Sequence, residues 1–393
     1  MSTATQNNLR SDEAAAPLKL ADQGSRHVSL IIPTFREAQA LPHLIARLRA
    51  FQEASGYELQ TLIMDDPSGD DSDAIVADAD LPWLHYIGRT GPRGLSAAVV
   101  DGLQRVEQPF VVVMDADLSH PPEAIPELLD ALDQGHDFVF GSRYVKGGST
   151  DDDWGLGRWL NSRIATLLAR PLTHLKDPMA GFFAFRKQLL DQADHLNPIG
   201  YKIGLEILVK AHCTRPGEVP IHFTDRVHGE SKLSFKEQLK YIQHLRRLYI
   251  FKFGTWTHLI QFLAVGTLGL GVNLAALTGL LAMGVPEIPA IAGGIAVSIV
   301  SNFLLNRRFT FSYARDSSWL RQFLGFCGAC AIGASVQFAV AASLVHTYPD
   351  FIPQVAATLG VIAGTAFNFI ANRYLVFKKR HIRIQNEPES PSA

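Results

Sequence analysis

Phe110-Val111-Val112-Val113-Met114-Asp115-Ala116-Asp117-Leu118-Ser119-His120-Pro121-Pro122 is an apolar strand that runs into a turn carrying two carboxylates one residue apart. Strand side chains alternate between faces, so Asp115 and Asp117 at a strand end can point the same way. Two converging carboxylates repel each other unless a cation lies between them. Hard oxygen ligands suit Mg²⁺ or Mn²⁺, which a protein holds through one or two carboxylates together with the phosphates of a substrate. The stretch predicts a strand whose carboxyl end opens into a metal-dependent nucleotide-sugar site.

Other short β-branched runs, at 28–32, 59–64 and 138–140, also end in turn-forming residues and alternate with helix-like stretches. That alternation predicts a parallel sheet covered by helices. In such sheets ligands bind beyond the carboxyl ends of the strands. Polar clusters fall there: Pro33-Thr34-Phe35-Arg36-Glu37 after the first run and Asp65-Asp66-Pro67-Ser68-Gly69-Asp70 after the second. No Gly-x-Gly-x-x-Gly follows the first run and the sequence has no Gly-Lys-Ser/Thr loop, which argues against a dinucleotide oxidoreductase or a P-loop NTPase.

The chain has 393 residues, room for two domains, and its composition changes near residue 258. Four stretches, 259–283, 288–305, 323–345 and 352–370, contain no Asp, Glu, Lys or Arg. At about 1.5 Å per helical residue each approaches or exceeds the ~30 Å hydrocarbon core of a bilayer. Lys240, Arg246, Arg247 and Lys252 precede the first stretch. Arg307, Arg308, Arg315 and Arg321 separate the second from the third, and Arg373, Lys378, Lys379 and Arg380 follow the fourth. The connections at 284–287 and 346–351 contain no Lys or Arg. The positive-inside rule then predicts a multi-pass protein of the inner (cell) membrane with both termini and the soluble half cytoplasmic.

The net charge of -2 gives no support to a nucleic-acid partner, and no nucleic-acid motif occurs. Residues 1–27 lack the apolar core of a signal peptide and read as a disordered leader. Cys213, Cys327 and Cys330 cannot form a secreted disulfide framework, and Cys327-Gly328-Ala329-Cys330 reads as close helix packing inside a membrane segment. Residues 234–253 have the pattern of an amphipathic helix, with Phe235, Leu239, Ile242, Leu245 and Tyr249 on one face and Lys236, Lys240, His244 and Arg247 on another. Such a helix suits either an anionic membrane surface or the flank of the soluble core.

The apolar half contains an internal repeat. Asn302-Phe303-Leu304-Leu305-Asn306-Arg307 recurs as Asn368-Phe369-Ile370-Ala371-Asn372-Arg373, and Gln261-Phe262-Leu263 recurs as Gln322-Phe323-Leu324. Two tandem helical hairpins account for the four segments. Each Asn pair, four residues apart, shares one helix face and suits either a helix lock or contact with a lipid head group.

The soluble half resembles the inverting family 2 glycosyltransferases of the dolichol-phosphate mannose synthase and polyprenyl-phosphate hexosyltransferase type. The resemblance rests on eight motifs in order. They are the three clusters already quoted, Gly94-Leu95-Ser96-Ala97-Ala98, Gly141-Ser142-Arg143-Tyr144, Gly181-Phe182, Gly200-Tyr201-Lys202-Ile203 and Arg226-Val227-His228-Gly229-Glu230-Ser231-Lys232. The membrane half resembles the GtrA family of four-helix proteins. The resemblance implies an α/β fold: a GT-A type Rossmann-like nucleotide-sugar transferase domain at 28–233, interfacial helices at 234–258, a four-helix transmembrane domain at 259–377 and a basic then disordered tail at 378–393.

Carried over by position, the resemblance implies that Pro33, Phe35, Glu37, Ile63 and Asp65 hold the donor's base and ribose. It further implies that Asp115, Ala116, Lys202, Arg226 and Lys232 complete the donor site around the diphosphate. Asp115, Asp117 and Ser119 would hold Mg²⁺ or Mn²⁺. Arg143, Arg158 and Ser162 would grip the acceptor phosphate, with Asp117, Arg143 and Arg158 central to catalysis. The partners implied are a nucleotide-sugar, a polyprenyl or dolichyl phosphate and the membrane, with a homo-oligomer left open. A phosphate monoester is already ionised near neutral pH and attacks the anomeric carbon without a protein base. His120 and His228 are therefore expected to be structural.

Mannose from GDP-mannose is the first expectation and UDP-glucose the alternative. A processive polysaccharide synthase is a further alternative, although Gln243-His244-Leu245-Arg246-Arg247 lacks the Trp of that class's motif. A non-enzymatic lipid carrier or flippase accessory is the last. Four positions depart from the family pattern: Phe35 for Tyr, Asp71 for Gly, Ala180 for Ser and Ser119 for a Gln that helps coordinate the metal.

Overall fold

The computed structural model describes residues 26–150, 156–197, 199–224, 235–348, 350 and 352–378. The leader (all but residues 26 and 27), the tail beyond 378, Arg226, His228 and Lys232 lie outside them, as does the side chain of Arg158. Contact clustering divides the chain into units Met1–Lys252 and Phe253–Ala393.

Unit 1 is built on a seven-stranded sheet. Its strands are β1 (His27–Thr34), β2 (Glu58–Asp65), β3 (Leu84–Gly88), β4 (Phe110–Val113), β5 (Phe138–Ser142), β7 (Phe183–Arg186) and β8 (Pro216–Pro220), in spatial order β3-β2-β1-β4-β7-β5-β8. Short strands β6 (Ser149–Thr150) and β9 (His222–Phe223) pair separately. The sheet is mixed, which corrects the expectation of an all-parallel one: β7 runs antiparallel to both β4 and β5. Strand direction leaves no mark in the residue pattern, because both directions place alternate side chains on the same faces.

β1 is central and buried from Val28 to Thr34, so Val28, Leu30 and Ile32 pack on one face as a near-continuous apolar run requires. Helix α1 (Leu41–Ser55) covers that face through Leu41, Leu44, Ile45, Leu48 and Phe51, a helical stripe at spacings of three and four. The helices α2 (Ser72–Asp78), α3 (Leu95–Leu103), α4 (Ile125–Asp133), α5 (Leu156–Ala169) and α6 (Ile203–Lys210) follow. Toward the β8 side of the sheet, Phe138 stacks on Phe185 with ring centroids 5.4 Å apart and 7° between planes, beside Phe140 and Phe183. α6 lies on these rings at Gly204, where a Cβ would come within 2.9 Å of both Phe140 and Phe183.

Helix α7 (Phe235–Phe253) packs on unit 1 through buried His244, Leu245 and Leu248, and the Tyr241 hydroxyl donates to the Ala165 carbonyl at 2.7 Å. Leu239 and Ile242 remain exposed on its other side.

Unit 2 contains α8 (Thr255–Ala282), α9 (Glu287–Leu305), α10 (Trp319–Thr347) and α11 (Pro353–Ala371). Four of its helical segments are long and apolar enough to cross a membrane. α9 and α11 each end in a π-type turn that begins at a buried asparagine, Asn306 or Asn372, whose carbonyl accepts the N–H five residues on. Phe303, Phe311, Phe326, Phe369 and Phe377 form the shared core, with Phe311 stacked on Phe377 at 4.8 Å.

The duplication is real but its register differs from the repeated Gln-Phe-Leu. Phe262 meets Phe369 at 5.7 Å and 60°, and the matching contact in the other copy is Phe326 on Phe303 at 5.8 Å and 58°. Phe262 therefore corresponds to Phe326 rather than Phe323. Asn302 occupies the space a Cβ would take at Gly269, and Asn368 does the same at Gly333, so both act as helix-to-helix locks. Gly269 and Gly333 are 64 residues apart, as are Phe262 and Phe326.

Gly204→Ala is expected to destabilise unit 1 by about 1–3 kcal/mol, the usual effect of overpacking a close-packed site. Thermal unfolding in detergent followed by near-UV circular dichroism would show it as a lowered midpoint.

Candidate active site

The carboxyl ends of β1, β2, β4 and β5 open into one crevice of about 740 Å³. It is lined by Pro33, Phe35, Glu37, Asp115, Ala116, Asp117, Arg143, Ser162 and Lys202, all expected from the sequence. Asp66, Arg93, His120, Asn161, Tyr201, Tyr241 and His244 also line it. Asp66 lies inside a quoted motif, whereas Tyr241 and His244 come from α7, whose approach to the crevice has no local sequence signal.

Three expected residues stand behind the wall. Ile63 is fully buried and belongs to the apolar core with Leu44 and Val76, away from the lining of the crevice. It sits two residues inside the end of β2, where the covering helices shield it. Asp65 is 3% exposed and accepts hydrogen bonds from the Thr34 hydroxyl at 2.8 Å and the Tyr86 hydroxyl at 2.9 Å. Burial pushes the Asp65 pKa up against those two bonds, and burial together with Asp65 pushes the Tyr86 phenol up to about 12. Ser119 is the third.

The neighbouring Asp66 pairs with the buried Arg89 and accepts the Gly94 N–H at 2.7 Å. Arg89 also donates to Asp101 at 2.8 Å and to the Pro92 carbonyl at 3.0 Å. These bonds fasten the loop that brings Arg93 and Gly94 to the crevice.

At the end of β4 the Ser119 hydroxyl donates to Asp117 Oδ1 at 2.5 Å, and the Ser119 N–H reaches the same oxygen at 3.2 Å. The turn that permits this places Leu118 at φ +64°, a sparsely populated conformation for a branched residue. Ser119 thus bears on any metal through Asp117. The Asp115 N–H donates to His120 Nδ1 at 3.1 Å, and the imidazole stacks on Phe182 at 5.4 Å. Burial holds the His120 pKa below its ordinary value despite the two carboxylates. The amide proton of Asp115 occupies the Nδ1 lone pair, so that nitrogen is not free to act as a base.

The residues fit a hard divalent cation. A Cβ at position 181 would lie 2.9 Å from Asp115 Oδ2, so Gly181 keeps open the space beside that carboxylate. Among the described residues no cluster of three or more His, Cys, Asp or Glu side chains forms a complete site. Two carboxylates whose other ligands come from a substrate diphosphate and water match the chemistry of Mg²⁺ or Mn²⁺.

Arg143, also in the lining, ion-pairs with Asp177, a fully buried residue that the sequence reading missed. The Ser162 hydroxyl is 2.8 Å from the Tyr144 hydroxyl. Lys202 Nζ donates to the Met179 carbonyl at 2.7 Å, while the Ser96 hydroxyl holds the Gly200 carbonyl at 2.7 Å.

Residues 29–193 match the family described as glycosyl transferase family 2, and residues 261–377 match the GtrA/DPMS transmembrane domain. A mixed α/β sheet with this crevice, joined to that membrane domain, defines a membrane-bound glycosyltransferase. Dolichol-phosphate mannosyltransferase of Pyrococcus furiosus is 35% identical over 354 residues, 89% of this chain and 99% of that protein. The protein of the same description from Mycosarcoma maydis is 46% identical over 236 residues, 58% of this chain and 80% of its own. Polyprenol monophosphomannose synthase of Mycolicibacterium smegmatis is 36% identical over 217 residues, 52% of this chain and 80% of that one. The chain belongs to glycosyl transferase family 2, in the dolichol-phosphate mannosyltransferase branch.

Two outcomes follow from this geometry. Gly181→Ala should press on Asp115 and lower transfer by about tenfold or more without unfolding the protein, read by initial rate beside circular dichroism. Burial also lowers the His244 pKa. An unfolded chain, whose histidines titrate near ~6.5, therefore takes up protons that the folded chain refuses at His120 and His244. Stability from these neutral rings is complete above that pH and is lost as pH falls through it. The melting midpoint should drop between about pH 7.5 and 5.5 and drop less in His244→Gln.

Proposed function

We propose that the chain transfers a hexose, mannose from GDP-mannose, to the phosphate of a membrane polyprenol on the cytoplasmic face, inverting the anomeric carbon. The observation that carries this reading is the presence of Asp115 and Asp117 with Arg143 and Ser162 in the lining of one crevice, in a chain with four membrane-spanning candidates. The first pair suits a nucleoside diphosphate and the second a phosphate monoester. The names of the relatives support mannose and a polyprenyl phosphate.

On this reading Phe35 and Glu37 bind the nucleoside, and Lys202 with Arg226 and Lys232 contacts the diphosphate. Asp115 and Asp117 hold the divalent ion, which, when bound, neutralises charge on the leaving diphosphate. Arg143, Arg158 and Ser162 align the acceptor phosphate. One of its oxygens forms the bond to the anomeric carbon while the bond from that carbon to the nucleoside diphosphate breaks. The nucleophile arrives ionised, so no proton needs to be removed, and catalysis is alignment plus electrostatics. The flanking Lys and Arg residues support a cytoplasmic catalytic unit in a cell membrane.

Membranes containing the chain, supplied with polyprenyl phosphate and Mn²⁺, should move label from radioactive GDP-mannose into the organic phase and little from UDP-glucose. Preference for UDP-glucose would reverse the donor assignment, and a polymeric product would favour the processive alternative. Asp117→Ala should lower transfer by roughly a hundredfold or more, the scale for losing a principal electrostatic group. Undiminished transfer would sink the metal assignment.

A further inference from the structure

Arg143 and Ser162 are the described members of the acceptor group, and neither is held by its own backbone alone. Asp177, with no exposed surface, accepts three hydrogen bonds from Arg143. Nε donates to Oδ2 at 2.7 Å, Nη2 to Oδ1 at 2.9 Å and the backbone N–H to Oδ2 at 3.2 Å. The guanidinium also lies over two rings, Tyr144 at 5.3 Å and Phe223 at 5.1 Å, so its plane is fixed from its edge and from its faces. Behind Asp177 the chain is itself pinned. The N–H groups of Lys176 and Asp177 donate to the two oxygens of Glu218, on β8, at 2.8 Å each.

Tyr144 links the two phosphate contacts. Its ring carries the Arg143 guanidinium, and its hydroxyl is bonded to Ser162 Oγ on α5. Its own backbone N–H donates to the fully buried Ser142 hydroxyl at 3.3 Å. One side chain therefore touches a group on the loop after β5 and a group on a helix eighteen residues further along.

We propose that Asp177 and Tyr144 are positioning residues for the acceptor phosphate, Asp177 setting the Arg143 guanidinium and Tyr144 setting the Ser162 hydroxyl. This rests on the reading of Arg143 and Ser162 as acceptor contacts. A buried carboxylate with no exposed surface is strongly disfavoured unless a cation and directed donors compensate it, so Asp177 is a costly way to fill space. What it supplies is direction. Arg143 and Asp177 together carry no net charge, so this pair contributes to phosphate recognition through the aim of its N–H donors more than through bulk attraction. Fixing those donors beforehand removes side-chain ordering from the binding step and holds the attacking oxygen in line.

The test is a pair of double-mutant cycles on the full-length membrane protein, read as KM for polyprenyl phosphate, KM for the sugar nucleotide and kcat. Asp177→Asn should raise the acceptor KM about tenfold, the scale for losing hydrogen bonds to a charged group, and change the donor KM less than about twofold. In an Arg143→Gln background it should raise the acceptor KM no further. Tyr144→Phe keeps the ring and removes the hydroxyl, and should raise the acceptor KM about threefold, with no further rise in Ser162→Ala. A merely structural role would give additive effects or move both KM values together, and either result overturns the proposal. If Arg143→Gln and Ser162→Ala fold yet leave the acceptor KM unchanged, the acceptor reading itself fails and takes this proposal with it. Should Asp177→Asn or Arg143→Gln not fold, the Tyr144 and Ser162 cycle decides alone.

Discussion

Two carboxylates one residue apart at the end of a buried strand repel each other, and much of unit 1 is arranged to keep Asp115 and Asp117 in place. Ser119 turns back onto Asp117, a bond that needs Leu118 in a left-handed conformation. His120 accepts the Asp115 amide proton and is wedged against Phe182. Gly181 yields the space beside Asp115. Strain and a bare backbone position are tolerated because the surrounding sheet over-determines them, with β4 held by β1 on one side and β7 on the other.

Elsewhere in this unit several buried charges are held by ion pairs. Arg89 joins Asp66 to Asp101, Arg143 joins Asp177, and Lys210 joins Glu206 at 2.7 Å. Removing one partner from such a pair leaves an uncompensated charge, which costs about 3–5 kcal/mol. Unit 2 solves a different problem. It buries a set of amides as well as Thr257, His258 and Thr310, and the side-chain oxygens of Asn302, Asn306, Asn368 and Asn372 are buried with no partner among the described residues. The packing of Asn302 against Gly269 and of Asn368 against Gly333 is steric.

Much of this was legible in the sequence because the informative residues sit where chemistry limits the choice. The β-branched runs located β1, β2, β4 and β5 within one or two residues. The turns after β1, β4 and β5 located Phe35, Glu37, Asp115, Asp117 and Arg143 in one crevice. β3, β7 and β8 were missed, as were the two-residue β6 and β9: Leu84–Gly88 is half polar, Phe183–Arg186 is only four residues long, and Pro216–Pro220 begins and ends in proline, as an edge strand can. Even had β7 been located, its reversal would have stayed hidden, since alternation does not encode direction. Asp177 was missed because Lys176-Asp177-Pro178 looks like an ordinary turn, and only the fold brings it to Arg143. Ile63 is near Asp65 in sequence, yet two positions along a strand separate a rim from a core. The repeat was read correctly as a duplication but three residues out of register at its first helix, because the eye follows identical letters and packing follows helix faces.

The locked, neutral His120 has one more consequence. A transferase that holds an activated sugar must keep water from taking it, and water attacks well only when a base removes its proton. An imidazole that already accepts an amide hydrogen from Asp115 is ill suited to that task. A lipid phosphate, ionised before it arrives, needs no such help. On the proposed reading the crevice tells its intended nucleophile from the abundant competitor by ionisation state, and guards the donor against hydrolysis without having to exclude every water molecule.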